Sequence, residues 1–290
     1  MAIDNFIPQI WSARLLENLN KTHVFASVCN KAYTGDIRAF GDRVHINGIG
    51  RITIGDYTKN TDIGAPETLT DAQKTLIIDQ GKYFNFQIDD IDAAQQTPKL
   101  MDAAMREAAY GLADVADKYI ANLYSDESIT NTIGTDDAPK KFTAVGDAYE
   151  ALVSLSVKLS EANVPKNGRW VVVPAWYIGL LLKDERFVAA GTAMSDNALS
   201  CGLVGKAAGF DIYTSNNVAT VTGADDTLCY KVMAGYENSI AYAEQITEVE
   251  AYRPEKRFAD AVKGLHLYGA KIVKPDSVGL LTVARPEALI

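Results

Sequence analysis

The chain has 290 residues, 48% of them hydrophobic, so it can bury a core large enough for one large domain or two smaller ones. A net charge of -9 at pH 7 argues against a surface that grips nucleic acid, because phosphate binding needs clustered Lys and Arg. The sequence shows no secretion signal and no apolar run of membrane-spanning length. Three cysteines without paired spacing fit a reducing compartment, so we expect cytosolic synthesis: Cys29, Cys201 and Cys229.

The first segment with a clear pattern is a short amphipathic arm. Pro8 stands where a helix can begin, and four apolar residues then recur at four-residue spacing, namely Ile7, Trp11, Leu15 and Leu19. The residues from Val24 to Asp36 separate this arm from the next strand pattern. We therefore expect the apolar stripe to dock on the parent domain or on a partner subunit.

Residues 41 to 95 contain two strand patterns with a polar arm between them. Alternation of apolar and polar residues predicts one strand over Asp42 to Asn47, continued over Arg51 to Ile54, and another over Tyr83 to Asp89. The intervening residues, Gly55 to Gln73, include few large apolar side chains. Since a loop of this length is generally functional or disordered, we predict a hairpin whose arm reaches another molecule.

A long helix is predicted from Thr97 to Tyr124, with Thr97 as the N-cap and Pro98 as the first helical residue. At 1.5 Å per residue it would span roughly 40 Å. Its apolar residues form one stripe at alternating steps of four and three, namely Met101, Met105, Ala108, Leu112, Val115 and Tyr119. Asp114 and Asp117 are predicted to lie mostly off this stripe.

The second half of the chain predicts a sheet covered by helices. A helix is indicated over Val145 to Leu159, a buried strand over Trp170 to Val173, and a further helix from Pro174 through Leu182. The C-terminal strands are expected to pack against the long helix. The remaining predicted strands are Phe210 to Tyr213, Leu228 to Met233, Ile246 to Tyr252, Ala261 to Val273 and Leu280 to Val283.

No motif in the sequence predicts a catalytic, cofactor or metal site. The histidines lack metal-ligand spacing, and the acidic run Asp89, Asp90 and Asp92 lacks the spacing of a calcium loop. Gly48 to Thr53 and Gly202 to Ala207 only partly match nucleotide-binding motifs, so both are rejected. There is no Gly-x-Ser-x-Gly elbow, and none of the cysteines has a neighbouring base.

In the order of these elements the chain resembles the major capsid proteins of tailed bacteriophages, with the Hong Kong 97 phage capsid fold, an α+β fold. The resemblance covers nearly the whole chain and includes the long helix. It rests also on four sequence segments. Three are Phe6 to Trp11, Phe84 to Gln95 and Gly205 to Asn217, and the fourth is Trp170 to Pro174, which leads into a helix followed by Lys183 and Asp184.

The resemblance implies a division of the chain into four parts. Residues 1–40 would be an N-terminal arm and residues 41–92 an extended loop formed by a β-hairpin. Residues 93–142 and 240–290 would form a peripheral domain around the long helix, which acts as its spine. Residues 143–239 would form an axial domain that gathers around the centres of hexamers and pentamers.

The function implied is that of a structural, non-enzymatic protein without cofactors, which self-assembles into the icosahedral head shell enclosing phage DNA. Its partners would be further copies of itself in hexamers and pentamers, a portal, and double-stranded DNA bound without sequence specificity, with no membrane. A separate scaffolding protein is expected because the arm starts close to Met1. The protein would belong to the virion, after assembly in the host cytoplasm.

The resemblance also implies which segments contact neighbouring subunits. In that family the arm lies along a neighbour and the extended loop overlaps the adjacent subunit. The candidate contact residues are Tyr57, Lys59, Asp62 and Glu67 on the loop, and Ile7, Trp11 and Leu15 on the arm. Some relatives join subunits through a lysine-asparagine isopeptide bond, but Lys59 and Asn60 are common surface residue types, so that bond is not predicted.

Two other functions remain open at this stage. One is the shell of a bacterial, encapsulin-like nanocompartment that encloses a cargo enzyme. The other is a soluble α+β enzyme whose site is assembled from distant residues such as His45, Asp90 and His266. Cargo bound in place of DNA would favour the first, and a deep pocket joining those three side chains would favour the second.

Overall fold

A computed structural model describes residues 23–34, 41–49, 54, 56, 59, 71–89, 100–184, 186, 203–223, 226–256 and 259–286. Within these residues there are four α-helices, α1 (Phe25–Val28), α2 (Leu100–Ala121), α3 (Asp147–Glu161) and α4 (Ala175–Lys183). The strands are β1 (Arg43–Ile49), β2 (Asp71–Ile77), β3 (Gln80–Asp89), β4 (Asn131–Ile133), β5 (Arg169–Val173), β6 (Leu203–Ala207), β7 (Phe210–Thr214), β8 (Thr220–Thr222), β9 (Leu228–Tyr236), β10 (Ile240–Tyr252), β11 (Ala259–Ile272) and β12 (Gly279–Ala284).

A seven-stranded sheet forms one core, in the order β4-β12-β9-β5-β7-β6 with β8 added to β9. All five residues of β5 are buried, as its run of branched side chains predicts. Val171 and Val173 pack with α3 and α4, whereas Trp170 and Val172 pack with α1 and the end of α2. The sheet is thus covered by helices on both faces, and the predictions of α3, β5 and α4 are confirmed.

Arg169, the first residue of β5, ties this sheet to the C-terminal end of α3. Its guanidinium is buried and donates hydrogen bonds to the carbonyl oxygens of Ser156 (3.1 Å), Val164 (2.6 Å) and Pro165 (2.8 Å). The C-terminal end of a helix carries partial negative charge from unpaired carbonyls, which favours a cation there. A permanent positive charge is therefore stabilised here by neutral backbone carbonyl groups.

A three-stranded antiparallel sheet, β10-β11-β3, forms the second unit. On one face α2 packs through Met105, Ala109 and Leu112 against Val249 and Val262. The prediction that the C-terminal strands pack against the long helix is confirmed.

The predicted hairpin partner is wrong. The strand that begins at Arg43 pairs with β2, in a separate two-stranded sheet, and not with the run from Tyr83 to Asp89. That run belongs to β3, which pairs with β11. Phe84 lies opposite Gly264, where a Cβ would overlap the Phe84 ring, so this pairing is specified by a residue far away in the chain.

The predicted stripe on the long helix is partly wrong. Val115 is 38% exposed, whereas the buried face includes Ala109, Ala116 and Ile120. Asp117, predicted to lie off the stripe, is only 2% exposed. The described part of α2 spans about 33 Å and ends at Ala121, three residues before the predicted Tyr124. The predicted cap at Thr97 and Pro98 lies outside the described residues.

One strand was missed beside the stretch that partly matches a phosphate-binding motif. Residues Leu203–Ala207 form β6, which pairs with β7 in antiparallel orientation. Ala208 and Gly209 connect the two strands with φ angles of 50° and 84°. Two successive positive φ angles are typical of a tight hairpin turn, and glycine adopts them readily.

Candidate functional site

The base of the β1-β2 hairpin is fastened to the three-stranded sheet, on the face opposite α2. Val44 and Ile46 from β1 pack with Leu76 and Ile78, and with a small group from the sheet: Ala241, Ala243 and Leu267. The backbone closes this base, because the Gly41 N–H donates to the Ile78 carbonyl (2.9 Å) and the Ile78 N–H to the Asp42 carbonyl (3.1 Å). Apolar contacts and backbone hydrogen bonds therefore anchor the hairpin at its root.

Gly269 of β11 allows the hairpin to approach the sheet closely. A Cβ at this position would overlap the carbonyl oxygen of Ile77 and lie 3.1 Å from Cδ1 of Ile78. Glycine is used where a backbone must come this close to another chain segment. The seat of the hairpin thus depends on a missing side chain as well as on apolar packing.

Beyond this root the hairpin exposes an apolar side chain. Ile54 is 95% exposed, and Lys59 is exposed in a turn. An isoleucine side chain contributes up to about 3 kcal/mol when it is transferred from water into a protein interior. The other loop candidates, Tyr57, Asp62 and Glu67, and the arm candidates Ile7, Trp11 and Leu15, lie outside the described residues.

A cluster of buried charged groups fastens residues 23–34, which follow the apolar stripe of the predicted arm. The carboxylate of Asp117 on α2 accepts hydrogen bonds from the backbone N–H groups of Val24 (2.7 Å) and Ala26 (3.1 Å). Nδ1 of His23 lies 3.1 Å from Oδ1 of the same carboxylate. Asp117 therefore orients the start of α1, although it comes from another helix.

Glu244 of β10 is the second carboxylate of the cluster. Its Oε2 lies 3.3 Å from Nε2 of His23 and 3.3 Å from Nε2 of His266, and it accepts a hydrogen bond from the Tyr242 hydroxyl (2.8 Å). Its Oε1 accepts a hydrogen bond from Nζ of Lys31 (3.2 Å). One carboxylate thus joins the segment before β1 to both β10 and β11.

The contacts of these groups set their protonation. Burial raises the pKa of Glu244, but the contacts with His23, His266 and Lys31 outweigh it and hold the pKa far below its ordinary value. Burial lowers the pKa of His23, but Asp117 and Glu244 outweigh it and the pKa is raised. Glu244 is therefore ionised at neutral pH.

Asn30 adds a backbone connection to the edge of the same sheet. Its N–H donates to the carbonyl of Ile240 (2.8 Å), and its carbonyl accepts from the N–H of Tyr242 (2.9 Å). Sheet edges have unpaired backbone groups that another strand can satisfy. The segment therefore covers one end of β10.

The geometry does not assemble the enzyme site that the sequence left open. His45 is exposed on β1, where its Nδ1 lies 3.3 Å from the Thr75 hydroxyl, whereas His266 is buried beside Glu244. Asp90 lies outside the described residues. Among the residues that the structure describes, no group of three or more His, Cys, Asp or Glu side chains is suited to hold a metal ion.

In the described part of the chain, no helix combines the length and the apolar character needed to cross a membrane.

The described architecture has relatives among known proteins. A family model of phage capsid proteins matches residues 72–283, which is more than half of the chain. The chain belongs to this phage capsid protein family. A search of curated protein sequences gave no match.

Solved structures similar to this capsid protein extend the match to nearly its whole length. A chain from Mycobacterium phage Che8 is 28% identical, with a TM-score of 0.67 over 89% of this chain and 90% of the other. The capsid of Ralstonia phage GP4 is 12% identical, with a TM-score of 0.66 over 91% and 88%. A virus-like particle from Pyrococcus furiosus is 15% identical, with a TM-score of 0.56 over 94% and 98%.

These matches confirm the predicted fold and the predicted class of function. The capsid protein has the α+β fold of the Hong Kong 97 type, and it is a structural protein of the virion that assembles with copies of itself into a shell. Neither the nanocompartment nor the enzyme hypothesis is favoured.

Sequence reasoning missed the buried charge cluster. Asp117 lies 91 residues along the chain from its partner Ala26, and Glu244 lies 213 residues from Lys31. No local spacing in the sequence therefore marks these contacts. The available signals are weak: Asp117 occurs at the helical spacing of buried residues such as Ala113 and Ile120, and Glu244 follows an apolar run. Such positions indicate a buried acid only after the face of the helix or strand is known.

Proposed function

We propose that this capsid protein builds the closed icosahedral head of a tailed phage from hexamers and pentamers, and that the β1-β2 hairpin is the clasp between subunits. The observation that carries the proposal is the contrast within the hairpin. Its root is packed on the three-stranded sheet, whereas Ile54 is 95% exposed. A neighbouring subunit that covers this side chain removes apolar surface from water, which favours association.

The contact residues follow from the same proposal. Tyr57, Lys59, Asp62 and Glu67 would lie against the neighbouring subunit on the loop side. Ile7, Trp11 and Leu15 would form the apolar stripe of an arm that lies along another subunit. Within a closed shell many weak contacts act together, so each interface needs only modest affinity.

The domain division belongs to the proposal as well. Residues 1–40 would act as the arm and 41–92 as the extended loop, while 93–142 with 240–290 would form the peripheral domain and 143–239 the axial domain. The seven-stranded sheet contains β4 and β12 together with β5, β6, β7, β8 and β9, so the two domains would share backbone hydrogen bonds. Such sharing would make the two units move as one body during assembly.

The proposed partners beyond the chain itself are a separate scaffolding protein, a portal and double-stranded DNA. A net charge of -9 supports enclosure of DNA without sequence-specific binding, since a basic lining would hold the DNA at the shell wall. We propose assembly in the host cytoplasm and no enzymatic activity. The absence of a recognised catalytic motif in the sequence supports the last point.

The test is assembly of the full chain with the scaffolding protein of the same phage, followed by electron microscopy. The wild-type chain should form closed shells. A variant in which residues 55–69 are replaced by an equally long Gly/Ser linker should keep the wild-type unfolding transition but form no stable shells. This replacement spares β2, which begins at Asp71.

Two results would overturn the proposal. One is that the wild-type chain remains unassembled with the scaffolding protein present; the other is that the linker variant forms normal shells. Particles that enclose a cargo protein in place of DNA would instead support a nanocompartment shell.

A further inference from the structure

Residues 23–28 are held in place by charged side chains from two different elements. Asp117 reaches them from α2 and Glu244 from β10, and both carboxylates are buried together with His23. Burying a charge is unfavourable unless it is paired and hydrogen-bonded. The cluster is therefore stable only when its charges balance.

The charges of the cluster balance when one imidazole carries an additional proton. Ionised Asp117 and Glu244 contribute two negative charges, and Lys31 contributes one positive charge through its contact with Glu244. The remaining charge of minus one is cancelled when one imidazole is protonated. His23 lies between the two carboxylates, with Nδ1 3.1 Å from Asp117 and Nε2 3.3 Å from Glu244.

The two nitrogens of His23 explain why this imidazole is the one to carry the proton. A neutral imidazole has a single N–H, whereas the imidazolium has two. Nδ1 of His23 is hydrogen-bonded to Asp117, and its Nε2 lies 3.3 Å from Oε2 of Glu244, an ion-pair distance without hydrogen-bond geometry. His266 is hydrogen-bonded to Glu244 through Nε2, whereas its Nδ1 has no hydrogen-bond partner. A positive charge on His23 therefore lies beside both acids, whereas a charge on His266 lies beside Glu244.

We propose that the proton on His23 is a latch: protonated His23 fastens residues 23–28 to α2 and β10, and loss of the proton loosens this segment. The inference goes beyond the proposed function, and it does not require that the chain forms a shell. Its consequence is that the point where the predicted arm joins the described fold is tight in mild acid and looser in mild alkali.

The neighbours of His23 come from its own segment and from three packed elements. Its own segment has the thiol of Cys29 and the amine of Lys31, and α2 has the carboxylate of Asp117. The sheet contributes Tyr242 and Glu244 from β10, and His266 and Tyr268 from β11.

The direction of the pH dependence follows from the pKa values of both partners. The pKa of His23 is raised above its ordinary value of 6.5, so its contribution is complete below pH 6.5 and is lost as the pH rises through the raised value. The pKa of Glu244 is lowered from its ordinary value of 4.5, so its contribution is present above pH 4.5 and is lost only in stronger acid. The segment is held most firmly between these two ordinary values.

The backbone contacts of the segment supply an internal reference. The Val24 and Ala26 N–H groups donate to the Asp117 carboxylate, whereas the Asn30 N–H donates to the Ile240 carbonyl. Only the first two depend directly on the charged cluster. Loss of the proton should therefore expose Val24 and Ala26 to exchange more than Asn30.

The experiment is pulsed hydrogen exchange of the full chain at several pH values, read by mass spectrometry with fragmentation that resolves single amides. After division by the intrinsic exchange rate at each pH, protection of Val24 and Ala26 should fall roughly ten-fold as the pH rises from about 6.5 through the raised pKa of His23. Protection of Asn30 should change less. His23→Gln should remove this step, whereas His45→Gln, in an exposed histidine of the hairpin, should retain it.

The wild-type profile alone can overturn the latch, even if His23→Gln does not fold. Equal protection of Val24 and Ala26 across the pH range would contradict it. A step that persists in His23→Gln, or that disappears in His266→Gln while His23 is intact, would assign the proton to a different group and would also overturn the proposal. A step that survives in His266→Gln supports it.

Discussion

The two larger sheets of this capsid protein complete their cores to different degrees. In the seven-stranded sheet every residue of β5 is buried, with helices on both faces. The three-stranded sheet is covered by α2 on one face, and among the described residues the hairpin root covers part of the other face, where farther along Tyr83 is 79% exposed. The first unit is finished within one chain, and the second leaves surface for other molecules.

The two regions also differ in the kind of charge that they bury, which is permanent in one and titratable in the other. Arg169 beside the seven-stranded sheet keeps its charge at all ordinary pH values and is held by carbonyl oxygens. The cluster on the three-stranded sheet depends on His23, whose pKa is lowered by burial but raised by more through Asp117 and Glu244. The charge of Arg169 is therefore independent of pH over this range, whereas that of the cluster depends on the proton of His23, as the proposed latch requires.

The largest loss of stability is expected in the seven-stranded unit. Leu155 of α3 is fully buried against this sheet, so Leu155→Ala should lower the free energy of unfolding by roughly 3 to 5 kcal/mol through lost burial and a cavity. Val153→Ala on the exposed side of the same helix is the control and should lower it by less than about 1 kcal/mol. Denaturant unfolding at equal protein concentration measures both. Equal effects would show that α3 does not cover a core.

The next effect is expected at the fastening of the N-terminal segment. Asp117→Ala would leave the Val24 N–H, the Ala26 N–H and His23 without their acceptor, so we expect a loss of roughly 2 to 4 kcal/mol. Asp114→Ala removes a half-exposed ion pair with Lys118 on the same helix and a side-chain contact with Asn217, which together should contribute below about 1 kcal/mol. The same denaturant titration compares the pair. A harmless Asp117→Ala would contradict the assigned role of this carboxylate.

A smaller effect on stability is expected at the root of the hairpin. Gly269→Ala would force the hairpin away from the sheet, because the new Cβ meets the Ile77 carbonyl oxygen, and we expect a loss of roughly 1 to 3 kcal/mol. Shell yield should fall as well, since the clasp changes its direction. Gly111→Ala is the control, because nothing lies within 4 Å of its Cβ, and it should be neutral or slightly stabilising. Unchanged shells from Gly269→Ala would mean that the hairpin seat tolerates displacement.

The smallest effect on the isolated subunit is expected at Ile54, in the exposed part of the hairpin. Ile54→Asp should change the free energy of unfolding by less than about 0.5 kcal/mol, because the side chain touches little in the single chain. It should nevertheless reduce shell yield strongly, since a charge would be placed where apolar contact with a neighbour is proposed. Ile54→Val is the matched control and should assemble. Particle counts by electron microscopy separate the two, and equal yields would contradict the clasp.

Local patterns in the sequence were sufficient to predict an element where its buried residues recur at one regular spacing or form one continuous run. The helix α3 and the strand β5 were predicted because their buried residues repeat at helical spacing or form a continuous apolar run. Pairing between strands was not predictable in this way. The alternation of Tyr83 to Asp89 marks a strand, but its partner β11 lies far along the chain, and β2 was missed because Leu76 and Ile78 are interrupted by exposed Ile77.

The charge cluster illustrates a second limit of local patterns. Asp117 is polar and was predicted to lie off the apolar stripe, yet it is buried because His23 and two backbone N–H groups satisfy it. Whether an acid can be buried depends on donors that tertiary contacts bring to it. Its spacing from Ala113 and Ile120 fits the buried face of the helix, but its polarity assigns it to the exposed face.

The most direct test of the account is a cryo-electron microscopy reconstruction of the assembled particle at side-chain resolution. We expect Ile54 and Lys59 of each subunit to lie against a neighbouring subunit, while the hairpin root remains packed on the subunit's own three-stranded sheet through Val44, Ile46, Leu76 and Ile78. A shell in which Ile54 stays in contact with solvent, or turns back onto its own subunit, would contradict the clasp.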